Sequence, residues 1–583
     1  MDFREAEARS MTDFKIETFP FAQGALPGEL TELRDWPVVY VLAGDKHAYV
    51  GETHNAISRM GQHLQIEERR KNLKVARVVV DETFNKSACH DLEAFLIKYL
   101  DGDDRFELMN KVAGQSNYNY YNRAAYQAAH EEIFERLRSA GLFSSSIRDI
   151  ENSDLFKFSP FKQLTDVQTA AVNNIAEGIL TSLATAHRTT SVVEGGPGTG
   201  KTVVIITLLK LLQDIKSVAE GEEILEEDID GPYGDLFLAG TRETLIGRRI
   251  GFVVPQQALR DTLTKVFKRS PALREVEILT PWQVGKSEKR WDLLIVDEAH
   301  RLSQYAAQSH GTLVAAFRTI TERLYGSFDP SITQLDWVQT QSDHQVFILD
   351  DGQSVIPADL PSNVISRIID EAQAEGNRYL LESQLRVQAS GDYVQYIRDL
   401  LSGANPSPQG FKNYDLQFFD DPAEMHAAIR AENDRQGLAR VVAGFAWRHV
   451  SKKHKDIHDI TIGDYSVQWN RKLTNWVNSL TSIDEAGSIY TIQGYDLNIA
   501  GVIIGPDLVY RDGKIQLDGS NYFDPRGNQR NNKLRGISYT DSDIQKFVEN
   551  IYSVLLTRGI RGTYVHVVDP ALREYLRPYF TQD

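Results

Sequence analysis

The sequence predicts an α/β protein built from two parallel-sheet lobes, preceded by a small mixed α+β domain. Three observations predict it. From about Phe158 onward, short apolar runs alternate with helical stretches, the pattern of parallel strands covered by helices. One of those runs, Ser191-Val192-Val193-Glu194, leads into a glycine-rich loop and then a helix. Well ahead of it, Val38-Val39-Tyr40-Val41-Leu42 and Ala48-Tyr49-Val50-Gly51 flank the turn-forming Ala43-Gly44-Asp45-Lys46 and read as a hairpin. A chain of 583 residues is too long for one core and favours several domains, at roughly 100–200 residues each.

Taken in order, residues 1–30 carry Pro20, Gly24, Pro27 and Gly28 with little periodicity and read as an N-terminal arm. Residues 31–122 form the small domain. It holds the hairpin, a helix over 54–66 and a strand over Val75–Val80. Its amphipathic helix, Cys89 to Leu100, turns Leu92, Phe95, Leu96, Tyr99 and Leu100 inward. A helix over 123–142 stops at Gly141, and the polar Ser144 to Ser153 follows, so 123–157 reads as a helical linker. The two lobes are assigned to 158–380 and 381–583.

Composition removes several classes. Hydrophobic residues at 42% and charged ones at 25% exclude wholesale disorder. No apolar run approaches the ~20 residues of a membrane span. Cys89, the single cysteine, excludes an internal disulfide and a cysteine-built zinc site. The first residues lack the basic start and apolar core of a secretory signal, so a reducing, cytoplasmic location is expected. The formal charge of −17 argues against a polyanionic partner only on average. Seven acids crowd Glu220 to Asp230, whereas Arg34 to Arg123 is balanced at 13 basic and 13 acidic residues. Basic clusters stand at Arg69-Arg70-Lys71 with Lys74 and Arg77, at Lys265, Lys268 and Arg269, and at Lys452, Lys453 and Lys455. Local charge therefore leaves nucleic acid open as a partner. The run from Arg69 to Arg77 could grip phosphates, or form a solvated face paired with Glu67 and Glu68. His454 and His458 are four apart, but the lysines around them favour a basic loop over a metal site.

Gly195-Gly196-Pro197-Gly198-Thr199-Gly200-Lys201-Thr202 fits G-x-x-x-x-G-K-[ST], after a strand and before a helix running from Val203 to Leu212. Glycines are needed because backbone N–H groups must curl around phosphates, and the helix N-terminus adds its partial positive charge. Lys201 is expected to reach the β- and γ-phosphates and Thr202 to ligate Mg²⁺. Trp291-Asp292-Leu293-Leu294-Ile295-Val296-Asp297-Glu298-Ala299-His300 supplies the partner carboxylates at the end of a buried strand. Asp297 is expected to hold the metal through water and Glu298 to orient or deprotonate the attacking water. Together these motifs read as an ATPase.

The order of motifs resembles a superfamily 1 helicase motor with two RecA-like lobes. Leu164-Thr165-Asp166-Val167-Gln168 is similar to the glutamine motif, implying that Gln168 reads the adenine edge. Phe252-Val253-Val254-Pro255-Gln256-Gln257 resembles a strand-contacting motif. Phe347-Ile348-Leu349-Asp350-Asp351-Gly352-Gln353 resembles the coupling motif, in which Gln353 would sense the γ-phosphate. Leu381-Glu382-Ser383-Gln384-Leu385-Arg386 and Tyr552-Ser553-Val554-Leu555-Leu556-Thr557-Arg558 resemble the segments that bring two arginines, Arg386 and Arg558, to the nucleotide. Tyr490-Thr491-Ile492-Gln493-Gly494-Tyr495-Asp496 resembles the T-x-Q-G motif, implying nucleotide contacts from Gln493 and Gly494. The text from Gln493 through Gly501-Val502-Ile503-Ile504-Gly505-Pro506-Asp507-Leu508, with Trp447 and Trp469-Asn470, looks closest to the group called domain of unknown function 2075, related to Schlafen-type helicase domains.

The hairpin resembles a GIY-YIG nuclease domain, written here as Val38-Val39-Tyr40 and Tyr49-Val50-Gly51. Two tyrosines on adjacent antiparallel strands can share a face, and Arg59 and His63 share one helix face at i and i+4. The resemblance implies Tyr40 as the base for water, Tyr49 and His63 as its positioners and Arg59 as the charge stabiliser. It implies Glu93 as the ligand of Mg²⁺ or Mn²⁺, and Asn110 as a further site residue, with Asn117 its competitor. The expectation is an ATP-driven translocase or helicase coupled to a metal-dependent endonuclease, acting on DNA in anti-phage defence or repair. Its rivals are an ATP-gated binding switch that does not cut and an RNA-cleaving effector. Neither protein partners nor oligomeric state can be read from the sequence.

Overall fold

The structure, a computed structural model, describes residues 14–25, 33–111, 119–185, 187–217, 232–237, 241–306, 311–350, 354–381, 392–492 and 494–581. The expectations placed on Asn117, Gln353, Arg386, Gln493 and the acidic stretch Glu220 to Asp230 lie outside those residues. The chain divides into two units: Met1–Leu180 with Thr202–Ile246 and Lys265–Glu275, and Thr181–Lys201 with Gly247–Thr264 and Val276–Asp583.

The first unit is built on a five-stranded sheet of β1 (Lys15–Pro20), β2 (Val38–Ala43), β3 (His47–Thr53), β4 (Val75–Val80) and β5 (Glu107–Leu108), in the order β1-β4-β2-β3-β5. The β2–β3 hairpin pairs Tyr40 with Gly51 and Leu42 with Tyr49. Side chains alternate along a strand, so both tyrosines face one side. There they pack with Val38, Leu42 and Val78, and with Ala56 and Met60 of helix α1 (Ala56–Gln65). The short helix α2 (Glu67–Asn72) follows. The other face, Val39, Val41 and Val50, packs on Cys89, Leu92, Leu96 and Ile97 of α3 (Lys86–Gly102).

Two expectations are corrected here. The arm is not a tail over its described part: Lys15–Pro20 pairs antiparallel with β4, which would otherwise be the sheet edge. Nor is 123–157 a linker. Helix α4 (Arg123–Ser139) presents Ile133, Phe134 and Leu137, at helical spacing, to the same core as α3. Leu142, Phe143, Ile150 and Phe156 follow into it. The serines that made 144–153 read as a spacer are caps. The amides of Ser144 and Ser145 donate to Asp103 at 2.8 Å each, and Ser146 and Ser153 cap α5 (Ile147–Asn152) and α6 (Asp154–Lys157). Helices α7 (Asp166–Thr185) and α8 (Lys201–Ser217) run across the division between the units.

The second unit holds two parallel sheets, as predicted for the lobes. The first comprises β6 (Thr189–Gly195), β7 (Ile250–Val253), β8 (Glu277–Leu279), β9 (Trp291–Val296), β10 (Ser342–Leu349) and β11 (Arg378–Leu381), in the order β11-β6-β10-β9-β7-β8. All its pairings are parallel, and the apolar runs of its central strands, Val192-Val193, Leu293–Val296 and Val346–Leu349, are fully buried. The second comprises β12 (Asp415–Phe418), β13 (Ala439–Ala443), β16 (Ala486–Gly487), β17 (Leu497–Ile504) and β22 (Gly559–Val567), in the order β12-β22-β17-β13-β16. Between β13 and β16 stands the antiparallel hairpin β14 (Ile460–Ile462) and β15 (Tyr465–Val467). The short pairs β18 (Leu508–Arg511) with β19 (Lys514–Leu517) and β20 (Asn531–Asn532) with β21 (Ile537–Ser538) precede β22.

Candidate functional site

Strand β6 ends at Gly195 and α8 begins at Lys201, so residues 196–200 turn the chain from strand to helix. Gly198 and Gly200 stand at φ 82° and 79°, the left-handed region that strains any side chain. Lys201 folds back over this loop. Its Nζ donates to the carbonyls of Gly195 at 2.6 Å and Gly196 at 2.8 Å, and to Asp350 Oδ2 at 3.1 Å. Thr199 Oγ1 donates to the Gly196 carbonyl at 3.1 Å, and Pro197 is buried within the turn. Thr202 is the next residue of α8.

Asp350 closes β10 and is buried. Its second oxygen lies 3.5 Å from Arg398 Nη2, on the helix Tyr393–Leu401 that belongs to the core of the second sheet. One buried carboxylate thus faces both the loop lysine and an arginine from the other lobe. Sequence reasoning missed both roles: Asp350 was quoted only inside the coupling motif, and Arg398 sits in no motif.

Two strands along from β6, β9 delivers Asp297 and Glu298. The Asp297 amide donates to the Val253 carbonyl at 3.0 Å, and Asp297 Oδ1 accepts the Glu298 amide at 2.9 Å. Glu298 is held at φ 49°, a conformation costly for a non-glycine residue and a mark of a constrained site. Its Oε2 lies 3.0 Å from His300 Nε2, while His300 Nδ1 accepts the Asp350 amide at 3.3 Å. That acceptance leaves the ring proton on Nε2, facing the carboxylate. Burial pushes the Glu298 carboxyl up, but His300, then Lys201 and Arg301, outweigh it and hold it below the ordinary carboxylate range. Glu298 is therefore ionised at neutral pH. The part of His300, like those of Asp350 and Arg398, was not legible in the sequence.

The remaining motif residues have these places. Gln168 Oε1 accepts the Thr165 amide at 3.0 Å, and the Gln168 amide donates to Thr165 Oγ1 at 3.3 Å, a reciprocal cap on α7. Gly494, at φ 82°, precedes β17, and a Cβ there would come within 3.0 Å of Leu259 in the first lobe. Its neighbour Tyr495 reaches the same lobe through a 2.6 Å hydrogen bond to Thr262. Arg558 is buried between the helix Asp541–Leu556 and β22, and its carbonyl accepts the Leu497 amide at 3.2 Å.

In the first unit, Tyr40, Tyr49, Arg59 and His63 come together and are all buried. Tyr40 Oη lies 2.7 Å from His63 Nε2, and Arg69 Nη1 lies 2.6 Å from His63 Nδ1. Arginine only donates, so Nδ1 is the acceptor. Burial, then the charges of Arg69 and Arg59, push His63 down to about 2, so the ring is neutral. The proton then sits on Nε2 and is donated to Tyr40 Oη, which leaves the phenol oxygen as acceptor. The Arg69 guanidinium also stacks 4.2 Å over the Tyr49 ring. Arg69 had been read as a phosphate grip or a solvated face; it is neither, because α2 turns it inward while Arg70 and Lys71 stay exposed. Arg59 Nη1 donates to Gln62 Oε1 at 2.6 Å. Gly51 makes the arrangement possible, since a Cβ there would fall 2.3 Å from Tyr40 Oη.

Asn110 clamps the Val50 backbone, accepting its amide at 3.0 Å and donating to its carbonyl at 2.8 Å. Glu93 Oε2 is 3.7 Å from His90 Nδ1, and His90 Nε2 is 3.9 Å from Glu52 Oε1. The hydrogen bond to Glu93 raises the His90 pKa, burial opposes it, and the Glu52 charge adds to the rise. Among the described residues no group of three or more His, Cys, Asp or Glu side chains is arranged to hold a metal. Glu52 Oε2 is nonetheless buried without a hydrogen-bond partner, and hard carboxylate oxygens suit Mg²⁺ or Mn²⁺. No helix among the described residues is long and apolar enough to cross a membrane.

Comparison with known proteins points to the lobes. A family model described as Schlafen group 3, DNA/RNA helicase domain matches residues 188–569. An uncharacterized protein of Saccharomyces cerevisiae is 29% identical over 422 residues, covering 67% of this chain and 85% of its own length. Among solved structures, the crystal structure of T. fusca Cas3-ATP is similar at 11% identity and a TM-score of 0.25, covering 77% of this chain. The match spans 51% of that structure's chain, and a likeness this distant carries no argument about activity.

Proposed function

Because the chain belongs to the Schlafen group 3 DNA/RNA helicase family, we propose that it is an ATP-driven nucleic-acid translocase or helicase coupled to a metal-dependent endonuclease of GIY-YIG type, acting on DNA in defence or repair. One observation carries the motor half: the Gly195–Thr202 loop with its retracted lysine, and an ionised Glu298 in the same sheet. When ATP enters, Lys201 exchanges its carbonyl and Asp350 partners for the β- and γ-phosphates. Thr202 and Asp297 are the residues that would hold Mg²⁺, which neutralises phosphate charge when bound. Glu298, kept ionised and oriented by His300, takes the proton of the attacking water. Arg558 and Arg386 are proposed to come from the second lobe to stabilise the charge that develops, a contribution worth roughly 10³–10⁵ in rate for arginine fingers generally.

For the nuclease half, support comes from the hydrogen bond Tyr40 Oη accepts from neutral His63, a donor that would stabilise the phenolate able to take a proton from water once Tyr40 has given up its own. Arg59 and Arg69 supply positive charge beside it, and Glu93 with Glu52 would hold a divalent cation, which polarises the phosphodiester when bound. Lys201→Ala is expected to abolish ATP hydrolysis in a phosphate-release assay. Glu93→Ala is expected to abolish cleavage of labelled nucleic acid with Mn²⁺ while ATP hydrolysis continues; retained cleavage would refute the assignment. The depth of Tyr40 at 0% and Tyr49 at 2% exposure favours a second reading, a binding switch that does not cut. The same assay on wild-type protein with DNA and RNA side by side separates these readings.

A further inference from the structure

After β13 ends at Ala443, the chain leaves the second sheet and returns at β16, Ala486. Within that excursion Arg448, Lys452, Lys453, Lys455, Arg471 and Lys472 are all exposed, and among the described residues none of the six forms an ion pair with a carboxylate. Elsewhere in this acidic chain exposed arginines find partners, as Arg435 does with Glu432 and Arg318 with Glu322. Segment 448–472 contains three acids, Asp456, Asp459 and Asp464, so it carries a net +3 from six Lys/Arg in a protein of −17. One of the three is turned inward. Asp459 is buried, its Oδ1 accepting the Val450 and Ser451 amides at 2.7 Å each and its Oδ2 the Trp469 amide at 2.9 Å.

The loop is therefore built, not merely long. Asp459 fixes its entrance and the hairpin β14–β15 fixes its back. Gln468 donates to the carbonyls of Lys455 and, at 3.2 Å, Ile457, and His458 meets Ser466 at 2.7 Å. A loop already ordered loses less entropy when it binds.

We infer that segment 448–472 is a surface of the second lobe that grips the sugar-phosphate backbone of a nucleic acid. This rests on the nucleic-acid motor reading above and adds the place of contact. Three arguments choose the occupant. Lysines dominate the patch, and lysine is depleted at protein–protein interfaces but serves phosphate as a point charge. The segment holds no helix, so it has no amphipathic face to lie on a membrane. Lys452 to Lys455 spans at most ~10 Å of extended chain, which lets neighbouring lysines meet successive phosphates.

The test is fluorescence anisotropy of labelled DNA and RNA oligonucleotides across a salt series, on wild type, on the triple variant Lys452→Ala/Lys453→Ala/Lys455→Ala, and on Lys452→Glu/Lys453→Glu. ATP hydrolysis without nucleic acid reports on each sample's folding. The triple variant is expected to bind about tenfold more weakly, with a salt slope shallower by about 2, from three lost phosphate contacts. The charge reversal is expected to bind more weakly still. Unchanged affinity and slope in both variants, with wild type binding, would overturn this inference alone. So would a loss confined to anionic lipid vesicles. A wild type that binds neither DNA nor RNA would sink the motor reading, and this inference with it.

Discussion

Asp350 is the residue on which the two lobes and the phosphate loop converge. Facing Lys201 on one oxygen and Arg398 on the other, it links the loop's lysine to the second lobe. Asp350→Asn and Arg398→Ala are each expected to cut the ratio of nucleic-acid-stimulated to unstimulated ATP hydrolysis about tenfold. The double variant should be no worse than either, because residues in one network are not additive; a hundredfold loss would mean independent roles. At the nuclease cluster, a His63 held near 2 stays neutral across the working range. The pH–rate profile of cleavage should therefore lack a limb near 6.5, the ordinary imidazole value. Tyr40, Tyr49 and Gly51 were legible in the sequence because the hairpin register follows from alternation and the glycine from ring contact. Arg69 was not, since its inward turn depends on where α2 ends, which local charge does not encode.

Elements tell a similar story of periodicity read well and context read poorly. The strands of both lobes were legible as buried apolar runs, and α3 as an amphipathic helix. Strand β1 was not, because Lys15–Pro20 carries no strong alternation and owes its structure to pairing with β4. The segment 123–157 was misjudged because its serines cap helices instead of loosening a chain. Phe134, fully buried in that segment, separates the two views. Phe134→Ala should cost about 3–5 kcal/mol of unfolding free energy by denaturant titration, whereas a linker position would cost almost nothing. On α3, the His90 pKa is raised by Glu93 and Glu52, so its protonation favours the folded state. That stability is fully present below the ordinary value of 6.5 and is lost as pH rises through the higher folded value. The stability difference between wild type and His90→Ala should shrink across that window.

For the whole molecule, the order of motifs was more informative than any average. A charge of −17 says nothing of the exposed lysines at 452–455 or of the acids drawn into the phosphate site. The two parallel sheets, the glycine loop and the carboxylates at the end of β9 all stand where the sequence placed them. The family match over 188–569 covers both sheets but not the tyrosine hairpin, so the cutting domain rests on its own geometry. On the proposed function, ATP hydrolysis at Lys201 and Glu298 responds to a nucleic-acid strand held by the lobes. The most direct measurement is steady-state phosphate release by wild type and Glu298→Gln, with and without single-stranded DNA or RNA. A strand is expected to stimulate the wild type, and the variant to lose about 10²–10⁴ in turnover in both conditions. Hydrolysis that is indifferent to nucleic acid, or that survives the loss of the Glu298 carboxylate, would contradict the proposed function.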